Sequence, residues 1–403
     1  MAAKKKIKNL DELVEELLDM NESIREDLLK EGNYDITDFE EVDVDDVSDW
    51  ISTGSFILDC HITNSHVLPS GELALGIAGG KIATISGVSS SGKSILAAHI
   101  LKSAQQKNAF CAYIDGEQAV MKSFYKNVGV DFSKSKLTYS ESNIAERNFE
   151  LIEKVVEKIG ASKHPNRLGL IVWDSIASTT TLEELKEKYG DASYGHLAKQ
   201  MSRGFRKIIR KLRKYNIALV FTNQLRKNMK AKTQYDDPYI EPGGEAPRFY
   251  SSVAIRLLPP TKSNRIINSK GQQVGQKVKV RISKNRYGPP QPDLEFSLYF
   301  GRGIDDDANI YNWLLDHKYI KKWGEKSTLM IPNKGEIKFE TSNWKRMLAD
   351  DPQLLIELKK IISDEIRIDL YNDDFYDETI DDDYESLSEE LDVDDSNGES
   401  DIN

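Results

Sequence analysis

The chain has 403 residues, 39% of them hydrophobic and 30% charged, with a formal net charge of −11. The length suits one large domain or two to three smaller ones, and the apolar share is sufficient for a buried core. No apolar run reaches the ~18 residues of a membrane helix, and two cysteines 51 positions apart, Cys60 and Cys111, cannot build a disulfide framework or a zinc site.

Residues 9 to 30 predict an amphipathic helix through Leu10, Leu13, Val14, Leu17 and Leu18. Lys4, Lys5 and Lys6 lead into this polar-faced pattern rather than into an apolar signal core, so a cytoplasmic protein is expected. From Glu31 to Asp49 follows an acidic linker without a basic residue. Residues 1–49 therefore read as an arm that docks on a neighbouring copy.

From Lys81 onward short apolar runs alternate with helical stretches. Ile82–Ser86, Phe110–Ile114, Leu170–Trp173 and Ala218–Phe221 have the length and β-branched content of buried strands. Strands separated by helices predict an α/β fold with a mostly parallel sheet flanked by helices. Ser252–Leu258 and Lys277–Ser283 would extend that sheet, and residues 308–370 read as a small separate α/β unit. The last residues, 373–403, carry 15 acidic and no basic side chains, a composition that predicts disorder. The expected division is 1–49 (arm and linker), 50–305 (core), 306–372 (small domain) and 373–403 (tail).

The first predicted strand runs into Gly87-Val88-Ser89-Ser90-Ser91-Gly92-Lys93-Ser94, which fits G-x-x-x-x-G-K-[ST] and opens a helix over 95–105. A loop of this kind wraps phosphates with backbone N–H groups at a helix N-terminus; Lys93 reaches the β and γ phosphates and the Ser94 hydroxyl ligates Mg²⁺. Asp174 ends its strand at the same sheet edge, where a second magnesium partner belongs, although a helix N-cap would use an aspartate there too. Glu117, three residues past Ile114, is the candidate general base, with Asp115 a rival on spacing. Asn223-Gln224 places an amide at the end of the next strand, where it would sense the γ phosphate.

Charge is distributed unevenly. Residues 81–372 hold 49 basic and 32 acidic side chains, and 12 basic residues with no acidic one fall between Lys199 and Lys232. A helix beginning this stretch carries Lys199, Arg203, Arg206, Lys207, Arg210 and Lys214 on one face and Leu197, Met201, Phe205, Ile208 and Leu212 on the other. Arg226, Lys227, Lys230 and Lys232 continue it as a basic loop. A solvated helix face accounts for a lone stripe; beside a nucleotide site in a basic body, a polyanion partner accounts for more.

These motifs stand in the order found in one family. From about Trp50 to Ile362 the chain resembles the RecA family of strand-exchange recombinases. Ile51-Ser52-Thr53-Gly54-Ser55 is similar to that family's entry segment, Tyr113-Ile114-Asp115-Gly116-Glu117 to the strand bearing its catalytic glutamate, Trp173-Asp174-Ser175 to its second magnesium motif, and Asn223-Gln224-Leu225-Arg226 to its sensor. Gly243-Gly244 with Arg248-Phe249-Tyr250 resembles the close of the second DNA loop, and the same register puts the first at about 186–195. The resemblance implies a RecA-like P-loop NTPase core. It implies ATP and Mg²⁺ as cofactors, with Gly87, Ser89, Ser90, Ser91, Gly92, Lys93 and Ser94 around the phosphates and Phe124 stacked on adenine. Where the family often has an acidic adenine contact this chain has Met121. Lys284 and Arg286 fall where the family supplies two cations to the neighbouring subunit's ATP, although a basic turn before Gly288-Pro289-Pro290 is the plainer reading. The segment 312–362, with Trp344 and Asp351-Pro352-Gln353, resembles the small C-terminal domain that gathers duplex DNA.

The function implied is a DNA-dependent ATPase that forms helical filaments on single-stranded DNA and exchanges strands with a homologous duplex, in recombination and repair. Arg203, Arg206, Arg226, Lys227, Lys230, Lys232, Gly243 and Gly244 are the expected DNA contacts, and single-strand-binding and loader proteins the expected helpers. The short arm, compact phosphate loop and acidic tail are similar to phage recombinases of the UvsX type, acting in the host cytoplasm. A hexameric helicase on the same core is the alternative; its usual N-terminal helical domain has no counterpart here. A third is a signalling ATPase of the same fold that does not bind DNA.

Overall fold

The computed structural model describes residues 47–118, 120–188, 195–229, 233, 237–259, 261–332 and 334–368, with Met20, Ser23 and Asp27 as helical positions before them. Most of the expected arm, most of the first DNA loop, Lys230, Lys232 and the acidic tail lie outside the described residues.

The chain order is β1 (Trp50–Ile51), α1 (Phe56–Thr63), β2 (Ile77–Ala78), β3 (Ile82–Gly87), α2 (Lys93–Gln106), β4 (Phe110–Asp115), α3 (Lys122–Val128), β5 (Thr138–Glu141), α4 (Ala145–Gly160) and β6 (Gly169–Asp174). Then come α5 (His196–Lys214), β7 (Ile217–Gln224), β8 (Arg226–Lys227), β9 (Tyr239–Ile240), α6 (Ala246–Tyr250), β10 (Val253–Leu257), β11 (Arg265–Ile267), β12 (Gln273–Asn285), β13 (Leu294–Tyr299) and β14 (Gly303–Ile304). The last elements are α7 (Asp306–Asp316), β15 (Ile320–Trp323), β16 (Lys326–Ile331), β17 (Gly335–Glu340), α8 (Trp344–Asp350) and α9 (Pro352–Ile366).

Ten strands form one sheet in the order β14-β13-β12-β10-β3-β7-β6-β4-β5, with β11 on β12. The strands from β10 to β5 pair in parallel, and β12 to β14 extend them antiparallel. Strand periodicity explains how both faces are buried. Along β7, Ala218 and Val220 join the layer under α2 with Leu96, Ile100 and Leu101. Ile217, Leu219 and Phe221 join the layer under α4 and α5 with Phe149, Ile152, Phe205, Ile208 and Leu212. Gly204 lets α5 approach α4, since a Cβ there would stand 2.3 Å from the Phe149 ring.

Strands β15, β16 and β17 form a separate three-stranded antiparallel sheet. The expected boundary at residue 306 is no break in packing, because Phe56, Ile57 and Cys60 of α1 share one hydrophobic core with Ile310, Leu314, Leu329, Trp344, Leu358 and Ile362. Polar contacts reinforce the join. The Asp306 carboxylate accepts the Phe56 N–H at 2.9 Å, and His99 Nε2 on α2 accepts the Ile304 N–H at 2.9 Å. Asp59 accepts the Thr53 N–H, the Thr53 hydroxyl and the Ser52 hydroxyl, tying the entry segment to α1. Burial pushes Asp59 up to about 7 and Asp306 up to about 6, and burial lowers His99 to about 4, so its ring is a neutral acceptor at pH 7. No helix among the described residues is long and apolar enough to cross a membrane.

Candidate active site and nucleic-acid interface

The phosphate loop joins β3 to α2 as expected, and its conformation needs its glycines. A Cβ on Gly87 would stand 2.4 Å from Ser91 Oγ, while Gly92 has φ 102° and a Cβ there would stand 2.8 Å from Leu298. Ser90 adopts φ 61°, and its carbonyl is held by Gln276 Nε2 at 3.1 Å. Ser89 and Ser90 are exposed, while Ser94 is half-buried on the first turn of α2. Lys93 is 8% exposed and its ammonium donates to Val88 O at 2.9 Å, across the mouth of the loop. Burial lowers the Lys93 pKa, and the charges of Asp174 and Glu117 oppose that shift.

The parallel register brings the other candidates to the same edge. Asp115 is paired with Asp174 across β4 and β6, and Gln224 with Gly87 across β7 and β3. Glu117 follows β4 by two residues, and Ser175 donates to its Oε1 at 2.6 Å. The rival base, Asp115, is buried and its Oδ2 accepts from Tyr139 Oη at 2.7 Å and Val120 N at 3.2 Å, so Glu117 is better placed to meet a water. Asp174 is buried, with Oδ2 accepting from Tyr113 Oη at 2.8 Å and Oδ1 from the Thr222 hydroxyl. Two of roughly four lone-pair sites on the carboxylate are thus used and two remain.

These residues fit a nucleoside triphosphate with a divalent cation. Ser91 Oγ is buried without a hydrogen-bond partner inside the loop, where phosphate oxygens would satisfy it. Among the described residues no cluster of three His, Cys, Asp or Glu forms a metal cage. Mg²⁺ needs none, since it is bound by one or two protein oxygens together with phosphates and water, the role that Ser94 and Asp174 offer.

Phe124 is half-buried on α3, edge-on to Tyr125 at 5.7 Å, and Met121 is 69% exposed at the helix start. Tyr113, Tyr125 and Tyr139 form a ring cluster behind the site, with Tyr113 Oη and Tyr125 Oη 2.7 Å apart. Sequence reasoning gave no role of their own to Tyr113, Tyr125, Thr222 and Ser175, although Tyr113 and Ser175 lie inside the motifs around Glu117 and Asp174.

Lys284 and Arg286 stand elsewhere. Lys284 is paired with Ala254, which is paired with Thr84, while Gly87 at the phosphate loop is level with Leu257 and Val280. Three residues of strand, about 10 Å, therefore separate Lys284 from the edge that carries its own chain's phosphate loop. Its ammonium donates to the carbonyls of Arg248 and Phe249 at 3.0 and 2.7 Å. Burial, followed by the charges of Arg286 and Arg248, lowers its pKa. Arg286 is exposed beside Ser252.

The basic helix has the expected two faces. Met201, Phe205, Ile208 and Leu212 are fully buried, while Lys199, Arg203, Arg206, Lys207, Arg210 and Lys214 are exposed. Part of the stripe has structural duties, since Arg206 Nε bonds Ser202 O and Lys211 bridges to Glu153 and Glu157 of α4. Arg226 and Lys227 lie on a short ladder, β8 against β9, rather than in open loop. Gly243 and Gly244 have φ 87° and 75°, and Cβ atoms there would meet Ile176 and Ala198, so the returning chain packs closely on the start of α5. Asn223 Nδ2 donates to Pro242 O at 2.9 Å, linking the strand that ends in Gln224 to this return.

Comparison with known proteins supplies the family. The RecA N-terminal domain model matches residues 30–305. The chain is 33% identical over 300 residues to Protein RecA of Thermus aquaticus, covering 73% of this chain and 83% of the relative. It is 31% identical over 301 residues to that of Campylobacter lari, covering 74% and 83%, and 33% identical over 315 residues to that of Helicobacter acinonychis, covering 77% and 82%. The chain belongs to the RecA family, the DNA-dependent ATPases that pair and exchange homologous DNA strands.

Proposed function

We propose that this recombinase polymerises as a helical filament on single-stranded DNA in its ATP-bound state, takes up duplex DNA, and completes each ATP site with a neighbour's cations. Within one chain, Lys93 and the loop from Gly87 to Ser94 bind the phosphates and Phe124 stacks on the base. Ser94 and Asp174 hold Mg²⁺, which neutralises phosphate charge when bound. Glu117 orients and deprotonates the attacking water, and Gln224 reports the γ phosphate through Asn223 and Pro242 to the second loop. Lys284 and Arg286 serve the adjoining subunit's site. The observation that carries this reading is their place about 10 Å along the sheet from their own phosphate loop.

Arg226, Lys227, Lys230 and Lys232, with the turn at Gly243 and Gly244, are assigned to single-stranded DNA; Arg203 and Arg206 extend the basic surface. Duplex DNA is assigned to the small domain, where Trp323 is 90% exposed beside exposed Lys321 and Lys322. We place the protein in the cytoplasm, that of a host cell, as a UvsX-type phage recombinase working with single-strand-binding and loader proteins. The acidic composition of residues 373–403 supports this subtype, and nothing favours the hexameric helicase.

The test mixes two inactive variants. Lys93→Ala and Arg286→Ala each lose DNA-stimulated hydrolysis, and the mixture regains part of it at interfaces that pair an intact loop with an intact cation. No recovery, or closed rings that unwind forks under the electron microscope, overturns the filament reading.

A further inference from the structure

A line of hydroxyls runs from α3 to the carboxylate assigned to magnesium. The Tyr113 Oη–Asp174 Oδ2 distance is 2.8 Å and the Tyr113 Oη–Tyr125 Oη distance is 2.7 Å. An ionised aspartate can only accept, so Tyr113 gives its single proton to Asp174, and the proton between the two phenols belongs to Tyr125. The chain therefore has a direction, Tyr125 to Tyr113 to Asp174, in which each bond polarises the next. The Thr222 hydroxyl holds the other carboxylate oxygen. Tyr113 is 2% exposed and Tyr125 3%, so water does not compete for these bonds.

The line joins two parts of the site. Tyr125 is the residue after Phe124, on a helix of only seven residues whose start, Met121, is exposed. Phe124 packs edge-on against the Tyr125 ring at 5.7 Å, and Tyr125 packs edge-on against Tyr113 at 5.7 Å. Any shift of α3 on base docking is thereby felt at the oxygen that fixes the Asp174 rotamer.

We propose that Tyr113 is a positioning residue that sets the Asp174 carboxylate for the metal, and that Tyr125 makes this setting depend on the base-binding helix, so that base docking and metal binding reinforce each other. The proposal rests on the nucleotide-site reading above. Tyr113→Phe keeps the ring and the packing and removes only the hydrogen bonds, leaving Asp174 held by the Thr222 hydroxyl alone.

The experiment is equilibrium binding of a fluorescent ATP analogue to the full chain, with and without Mg²⁺, for wild type, Tyr113→Phe and Tyr125→Phe. Tyr113→Phe is expected to weaken binding of the magnesium complex about tenfold, to raise the half-saturating Mg²⁺ by a similar factor, and to leave metal-free binding unchanged. Tyr125→Phe is expected to move the same two quantities about threefold. Equal losses with and without metal would reduce Tyr113 to a packing residue, and an unchanged magnesium response in both variants overturns the proposal. If Tyr113→Phe does not fold, Tyr125→Phe decides alone. A wild type that binds no nucleotide under either condition would instead overturn the nucleotide-site reading itself.

Discussion

Ser175 Oγ lies 2.6 Å from Glu117 Oε1, so the residue that follows Asp174, the carboxylate proposed for magnesium, also grips the candidate base. On the proposed reading, metal binding and water activation would be set by the adjacent positions 174 and 175. Glu117→Gln is expected to keep ATP binding and DNA filaments while turnover falls by roughly 10²–10⁴-fold, the usual share of a general base. Turnover equal to wild type in a steady-state ATPase assay would remove Glu117 from that role. Ser175→Ala, which removes the grip alone, should lower kcat by about tenfold with little change in KM.

Lys93→Ala is expected to abolish hydrolysis and ATP-dependent strand exchange. The ammonium is nearly buried, burial lowers its pKa and the charges of Asp174 and Glu117 oppose that shift, so its loss leaves two carboxylates facing incoming phosphates. A nucleotide-binding titration checks this, with affinity for the triphosphate falling more than affinity for adenosine.

Asp306 links pH to stability. Its pKa, raised by burial from 3.8 to about 6, means that the native state keeps a proton that the unfolded chain has already released. Stability therefore falls as pH rises through the window from 3.8 to about 6, by up to about 3 kcal/mol for a shift of roughly two units. Asp306→Asn retains an oxygen for the Phe56 N–H and cannot ionise. Relative to wild type, it should gain stability between pH 4 and pH 8, read from thermal unfolding at both; identical pH slopes would refute the linkage.

Gly204→Ala should destabilise without touching the site. The added methyl would stand 2.3 Å from the Phe149 ring, which is packed edge-on against Trp173 and Phe205. Overpacking of this kind costs about 1–3 kcal/mol, to be read as a lower melting temperature with unchanged ATP affinity.

Deleting residues 373–403 removes 15 acidic charges, which on the proposed reading compete with DNA for the basic surfaces. Tighter duplex binding and a lower magnesium requirement are expected in a salt titration. Unchanged affinity across the salt series would show that the tail does not gate binding.

Local pattern made much of this legible. The phosphate loop, its strand and its helix announce themselves within eight consecutive residues, and the apolar faces of β7 and α5 follow from periods of 2 and 3.6. Contacts between distant positions were hidden. Tyr113 and Asp174 are 61 residues apart, and a tyrosine in a strand reads as core unless its hydroxyl's partner is known. The sharing of a core between α1 and the elements α7 to α9 was equally invisible, because Phe56, Ile57 and Cys60 look like any apolar helix face.

That shared core bears on how the chain is made. Phe56 and its partner Asp306 are 250 residues apart, and at about 5–20 residues per second the ribosome needs roughly 12 to 50 seconds to supply the second after the first. During that interval Phe56, Ile57 and Cys60 of α1 have emerged uncovered, and the ten-stranded sheet itself is completed only when β14 (Gly303–Ile304) has been made. Arrest or proteolysis near residue 306 would therefore leave an ATPase core bearing a sticky helix, a form prone to aggregate rather than a smaller working enzyme.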